Sequence, residues 1–223
     1  LASVEHKGIR IGNEPHKRAH QVVAASGQQV VELAQHLHMG RLQTDLFGAF
    51  AQVDYSDEPG NPRSGGNYVL AWNYFGDRNK SLYAFRRHEV ELQQYIPFFN
   101  RRRVIALRAK TSLTDTSRGR DVPFYMQQAL GGSEDLRGFR EFRFRDKNLV
   151  VYNLEYRWEV FSGMDMALFG DAGKVFPHRG DFSLSNLEGA YGIGMRFNQA
   201  KAVFLRIDIG RSREGTRFFF KFG

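Results

Sequence analysis

From Phe47 onward, apolar and polar residues alternate along most of the chain, the period expected of strands with one greasy and one polar face. Phe47, Ala49, Ala51, Val53 and Tyr55 share one face of a first strand, which Asp57-Glu58-Pro59-Gly60-Asn61-Pro62 breaks with turn residues. Tyr68, Leu70, Trp72 and Tyr74 form the next apolar face, which stops at Gly76-Asp77. The segment 82–96 holds Leu82, Ala84, Val90, Leu92 and Ile96 on one side and Tyr83, Arg87, Glu89, Glu91 and Gln93 on the other. Pro97 is expected to end it, since proline cannot continue a ladder. In 103–114, Ile105, Leu107, Ala109 and Leu113 oppose Arg108, Lys110 and Ser112. The pattern is clearest over 148–160, where Val150, Tyr152, Leu154, Tyr156, Trp158 and Val160 oppose Asn153, Glu155, Arg157 and Glu159. Phe161-Ser162-Gly163 then turns into Met164, Met166, Leu168 and Ala172, facing away from Asp165 and Asp171. Three further strands carry Tyr191 to Phe197, Val203 to Ile209 and Phe218 to Phe222, with Arg196, Arg206, Asp208, Arg217 and Lys221 on their opposite faces. Nearer the start the pattern weakens. Val4 to Gly12 reads as one short strand, and Val30, Val31, Leu33, Ala34 and Leu37 as a short amphipathic helix within a loop.

Strands of ordinary soluble domains average five or six residues, whereas several of these run to about 10–15. A bilayer is crossed by about 9–11 tilted strand residues. Aromatic residues collect near strand ends (Tyr55, Tyr68, Tyr74, Tyr95, Trp158 and Phe161), as in interfacial girdles. The faces opposite the apolar ones carry charges of both signs, which suits a wet lumen where they can pair. From 103–114 onward the connections alternate long (115–146), short (161–163), long (176–188) and short (198–200), the asymmetry of outer-membrane barrels. The fold expected is therefore all-β: an antiparallel transmembrane β-barrel with about ten strands present. A soluble β-domain that binds an anionic ligand is the alternative.

Composition adds little against this. No run approaches the roughly 20 apolar residues of a membrane helix, and the mean hydropathy of −0.47 averages over two opposite faces. With no cysteine there is no disulfide, thiolate metal site or cysteine nucleophile. The net charge of +8 permits nucleic acid or an anionic lipid surface as a partner, but the charges form no basic block. His36 and His38 have no further ligand at metal spacing, so neither metal nor cofactor is expected. Gly192-Ile193-Gly194 precedes no helix and so is no dinucleotide loop; it reads as a strand crowded by lumen side chains. No serine, histidine and acid spacing indicates an enzyme. Arginines interleaved with aromatics over 137–145 could mimic a nucleic-acid surface, but are expected to face lumen carboxylates or lipopolysaccharide; nucleic acid is not an expected partner.

The long connection 115–146 is the most distinctive stretch, with Gly131-Gly132-Ser133-Glu134-Asp135-Leu136-Arg137-Gly138-Phe139 followed by Phe142-Arg143-Phe144-Arg145. Loops of that length are functional or disordered. On these residues the chain resembles the BamA/TamA-like outer-membrane assembly and translocation barrels, the bacterial surface antigen family, over roughly residues 43–223. The family motif is usually Val/Ile-Arg-Gly-Phe, from which Leu136 departs mildly. Gly215, Phe218, Phe220 and Phe222 fit its C-terminal insertion signal, although the chain stops at Gly223 in place of an aromatic. The family barrel has sixteen strands, so residues 1–223 are expected to be its C-terminal portion, without the first strands or any POTRA repeats.

The resemblance implies a protein that inserts, assembles or translocates other proteins and has no chemistry of its own. The loop would fold into the lumen and set Arg137 against inward carboxylates, by strand parity Glu155 and Asp171. Gly131 and Gly132 would let it turn sharply, and Phe139 would anchor it. A poorly paired seam beside Phe218–Phe222 would accept client strands. The partners implied are outer-membrane lipids and lipopolysaccharide, unfolded outer-membrane or secreted clients, and accessory lipoproteins or periplasmic domains. A passive outer-membrane pore, or the barrel anchor of a surface-displayed patatin-like enzyme, is the competing function.

Overall fold

The structure, a computed structural model, describes residues 9–10, 21–22, 44–58, 60–77, 83–199 and 202–222. The amphipathic helix expected near residues 30–37 and most of the strand expected over 4–12 lie outside them. Of that strand, Ile9–Arg10 (β1) is described, paired with Gln21–Val22 (β2).

The body is one antiparallel sheet of nine strands: β3 (Thr44–Asp54), β4 (Gly65–Asp77), β5 (Ala84–Phe98), β6 (Arg103–Thr116), β9 (Asn148–Phe161), β10 (Met164–Phe176), β11 (Glu188–Gln199), β12 (Ala202–Ser212) and β13 (Gly215–Phe222). Each pairs with its neighbours in chain order, and the connection from β6 to β9 carries its own small hairpin, β7 (Gln128–Leu130) with β8 (Phe144–Asp146). Among the described residues no ladder joins β3 to β13, so both are sheet edges.

The sheet is inside out relative to a soluble domain. On its outer face Leu70, Leu92, Leu107, Leu154, Leu168, Tyr191, Phe218 and Phe220 are exposed. On its inner face Arg87, Ser112, Glu155, Asp165, Asp171, Arg196 and Asp208 are buried. An apolar face left open across nine strands matches a hydrocarbon solvent, because water would penalise it. Aromatics band the outer face at the end of the short turns: Tyr55 meets Tyr68, and Phe98, Tyr156 and Trp158 stack in sequence.

Two expectations are corrected. Tyr95 does not join that band. It lies on the inner face with Arg157 5.7 Å above its ring and its hydroxyl on Gln93, because odd positions of β5 point inward. Pro97 does not end β5, which runs on to Phe98. The β4 ladder stops at Tyr95, so beyond it β5 pairs only with β6, and the missing N–H can face the open side.

Candidate functional site: the loop seated on the inner wall

Residues 117–147 fold back onto the inner face at the long-loop end. Gly131 (φ 121°) and Gly132 (φ 96°) reverse the chain in conformations that disfavour a side chain. The tip then closes a tight turn in which Phe139 N–H donates to Leu136 O (3.1 Å). Leu136 and Phe139 are fully buried with Leu130, Leu149, Val151 and Ala190. Leu136, the position at which the chain departs from the usual motif, is thus a packed core residue. Phe139 also meets Phe144 edge-on at 5.1 Å, tying the tip to β8.

The turn aims Arg137 at β9 and β10. Its Nε and Nη2 donate to the two oxygens of Asp171 (2.8 and 2.7 Å), and its backbone N–H donates to the same carboxylate (3.1 Å). Nη1 donates to Glu155 Oε2. The guanidinium lies 3.6 Å from the centre of the Phe169 ring. Arginine fits because a planar fork can serve two carboxylates and stack at once, which an ammonium cannot. Arg137 and Asp171 are each 3% exposed and Glu155 7%.

Sequence reasoning brought these three together but missed the network around them. Arg157 and Arg196 also donate to Glu155 (2.8 and 3.0 Å), and Arg196 and Arg206 to Asp208 (both 2.6 Å). On the other flank Asn153 donates to Asp171 and to Asp135 O, while Arg108 holds Asp135 and Glu91. Five arginines (108, 137, 157, 196 and 206) meet five carboxylates (Glu91, Asp135, Glu155, Asp171 and Asp208). The interior is crowded with charge yet balanced, which is what makes its burial tolerable. Inward parity was readable for most of these residues. Their partners were not, because a partner depends on register between strands.

The second missed feature is the seat itself. A Cβ on Gly210 would overlap the carbonyl of Arg137, and one on Gly138 would lie 2.7 Å from Ser212 Cβ and 2.9 Å from Ala190 Cβ. Ser212 Oγ donates to Gly138 O (2.7 Å). Small residues on β11 and β12 therefore let the motif backbone lie directly on the wall. Gly192 and Gly194 are crowded by Phe169 and by Asp208 with Arg196, as expected of a wall packed from within.

Gly215 (φ 117°) forms the tight turn into β13. Phe218, Phe220 and Phe222 lie on the exposed outer face opposite Ile209, Ile207 and Leu205. They lie on the other side of the sheet from the loop site. Among the described residues no group of three histidine or carboxylate side chains is placed to hold a metal.

The Omp85 superfamily domain matches residues 10–223. The chain belongs to the Omp85 superfamily. BamA from Haemophilus ducreyi, solved lacking POTRA domains 1–3, shares its fold with a TM-score of 0.61 at 16% identity, over 78% of this chain. This chain spans 41% of that structure. Comparison with curated proteins gives no match. An all-β antiparallel wall with a polar interior is thus the fold of an Omp85-type barrel, and the described residues form nine strands of it.

Proposed function

We propose that this chain is the C-terminal part of an outer-membrane barrel that inserts, assembles or translocates other proteins. The observation that carries the reading is the buried seating of Arg137 between Glu155 and Asp171 on an inside-out Omp85 sheet. The docked loop braces β9 to β12 from within, so the wall near the last strands is held in one shape while its edge stays available. That edge is β13, which pairs with β12 over eight residues and has no described partner on its other side. An unpaired strand edge facing lipid is a template for adding a client strand by β-augmentation. The outward Phe218, Phe220 and Phe222 place an apolar row along it, in keeping with an insertion signal. Lipids and lipopolysaccharide surround the wall, and unfolded outer-membrane or secreted proteins are the clients. Accessory lipoproteins or periplasmic domains deliver them. A passive pore fits less well, because the loop occupies the space a solute would use.

The test uses the full-length protein in proteoliposomes with a urea-unfolded barrel client, scored by the client's heat-modifiable migration. Client folding above the rate of empty liposomes, and its loss in Arg137→Ala, is the expected result. Equal folding with and without the protein would leave the pore or anchor reading standing instead.

A further inference from the structure

The connection between β3 and β4, residues 55–64, is long for its end of the sheet, where 99–102 and 162–163 make the neighbouring turns. Its described residues, 55–58 and 60–64, are tied together by one carboxylate. Asp57 Oδ1 accepts from the backbone N–H groups of Glu58, Arg63 and Ser64 (2.9, 2.9 and 3.1 Å), and Asn61 N–H donates to Glu58 O.

Its tip does not point away from the sheet. Arg63 Nη2 donates to both oxygens of Asp165 at the start of β10 (2.9 and 2.8 Å), and Asn198 from β11 adds a donor to the same carboxylate (2.8 Å). Asn61 Nδ2 approaches it at 3.4 Å. Gly60 O accepts from the backbone N–H of Val203 in β12, and Pro62 O from Arg157 of β9. Asp165 is 1% exposed and Asn61 5%.

Val203 lies six strands from β4 along the wall, through β5, β6, β9, β10, β11 and β12. Six strand spacings are about 29 Å of wall, whereas half of a ten-residue connection reaches at most about 17 Å. The turn therefore meets β10 to β12 only by crossing the interior of the curl. The long loop fills that interior from the opposite end, so this turn is a second closure.

We propose that residues 55–64 are a gate across the short-turn mouth of the lumen, latched by Arg63 on Asp165. The latch is a single buried carboxylate reached from the turn and from β11, and Arg63 is its one cationic donor, so withdrawing that arginine loosens the tip while Asp57 keeps the turn folded. The proposal rests on the membrane-barrel reading, and its test separates the two. Full-length protein is reconstituted in planar bilayers, with ion conductance in potassium chloride as the readout. Arg63→Gln is expected to raise single-channel conductance above wild type. The pair Asn61→Cys with Asn198→Cys is expected to hold the low level when oxidised and to respond to reductant only when Arg63→Gln is also present. Wild-type conductance in Arg63→Gln, and in the reduced cysteine pair that also carries Arg63→Gln, in protein that inserts and shows heat-modifiable migration, would overturn the gate alone. Wild-type protein that neither inserts nor shifts on heating would overturn the gate together with the membrane reading.

Discussion

At the residue scale, the buried Arg137 side chain is held by two carboxylates and a ring face, and its backbone amide holds one of those carboxylates. Arg137→Ala leaves Glu155 and Asp171 short of a buried cation, a loss of about 3–5 kcal/mol. Arg137→Lys keeps the charge but not the fork, and should fall between wild type and alanine when heat-modifiable unfolding temperatures are compared. Gly210→Ala is the sharper probe, since it touches no charge. Its methyl group takes the place of the Arg137 carbonyl, an overpacking cost of about 1–3 kcal/mol. Limited proteolysis should then cut within 131–146, while a methyl at Gly170, which meets open space, should leave the loop protected. Arg137, Glu155 and Asp171 were legible in the sequence through a motif and strand parity. Gly210, Ser212, Arg196 and Asp208 were not, because each matters through what lies opposite it in the next strand or loop.

At the scale of elements, the nine strands follow from period two alone, since alternation fixes both the strand and its faces. The deviations have local causes: Tyr95 sits one position off the apolar parity, and Pro97 lies past the end of its neighbour's ladder. The turn 55–64 was legible as a breaker but not as a folded object, since its donors converge on one aspartate only in three dimensions. Burial alone would raise the carboxyl pKa of Asp57. The backbone amides of Ser64, Arg63 and Glu58, with the Arg101 guanidinium, outweigh it and hold the carboxyl below its usual value of 3.8. A depressed folded-state pKa means the carboxylate's stabilisation is fully present above the ordinary value and fades as pH falls through the lowered one. Amide protection at Arg63 and Ser64, measured against the intrinsic exchange rate at each pH, should therefore hold from neutral pH down to about 4 and fall below it. Asp57→Asn should remove that pH dependence.

At the scale of the whole molecule, the formal charge of +8 says little about the loop site, because its five arginines meet five carboxylates. What defines the protein is the inversion: an apolar wall outside, a paired polar interior, and a loop motif seated where the wall is made of small residues. The inversion was legible as alternation without a buried side. The curl was not, since nothing in a single strand states how far the sheet bends. The most direct test of this arrangement is a cysteine at Arg137 with another at Asp171, in the full-length protein in detergent. The backbone N–H of Arg137 lies 3.1 Å from the Asp171 carboxylate, so two short thiols can meet, and no cysteine within residues 1–223 competes. The Leu136 and Phe139 anchors remain to seat the loop. Efficient cross-linking under mild oxidation, with both thiols closed to bulky aqueous maleimides, is the predicted result. Two freely labelled thiols and no cross-link would place the loop outside the lumen and contradict the account.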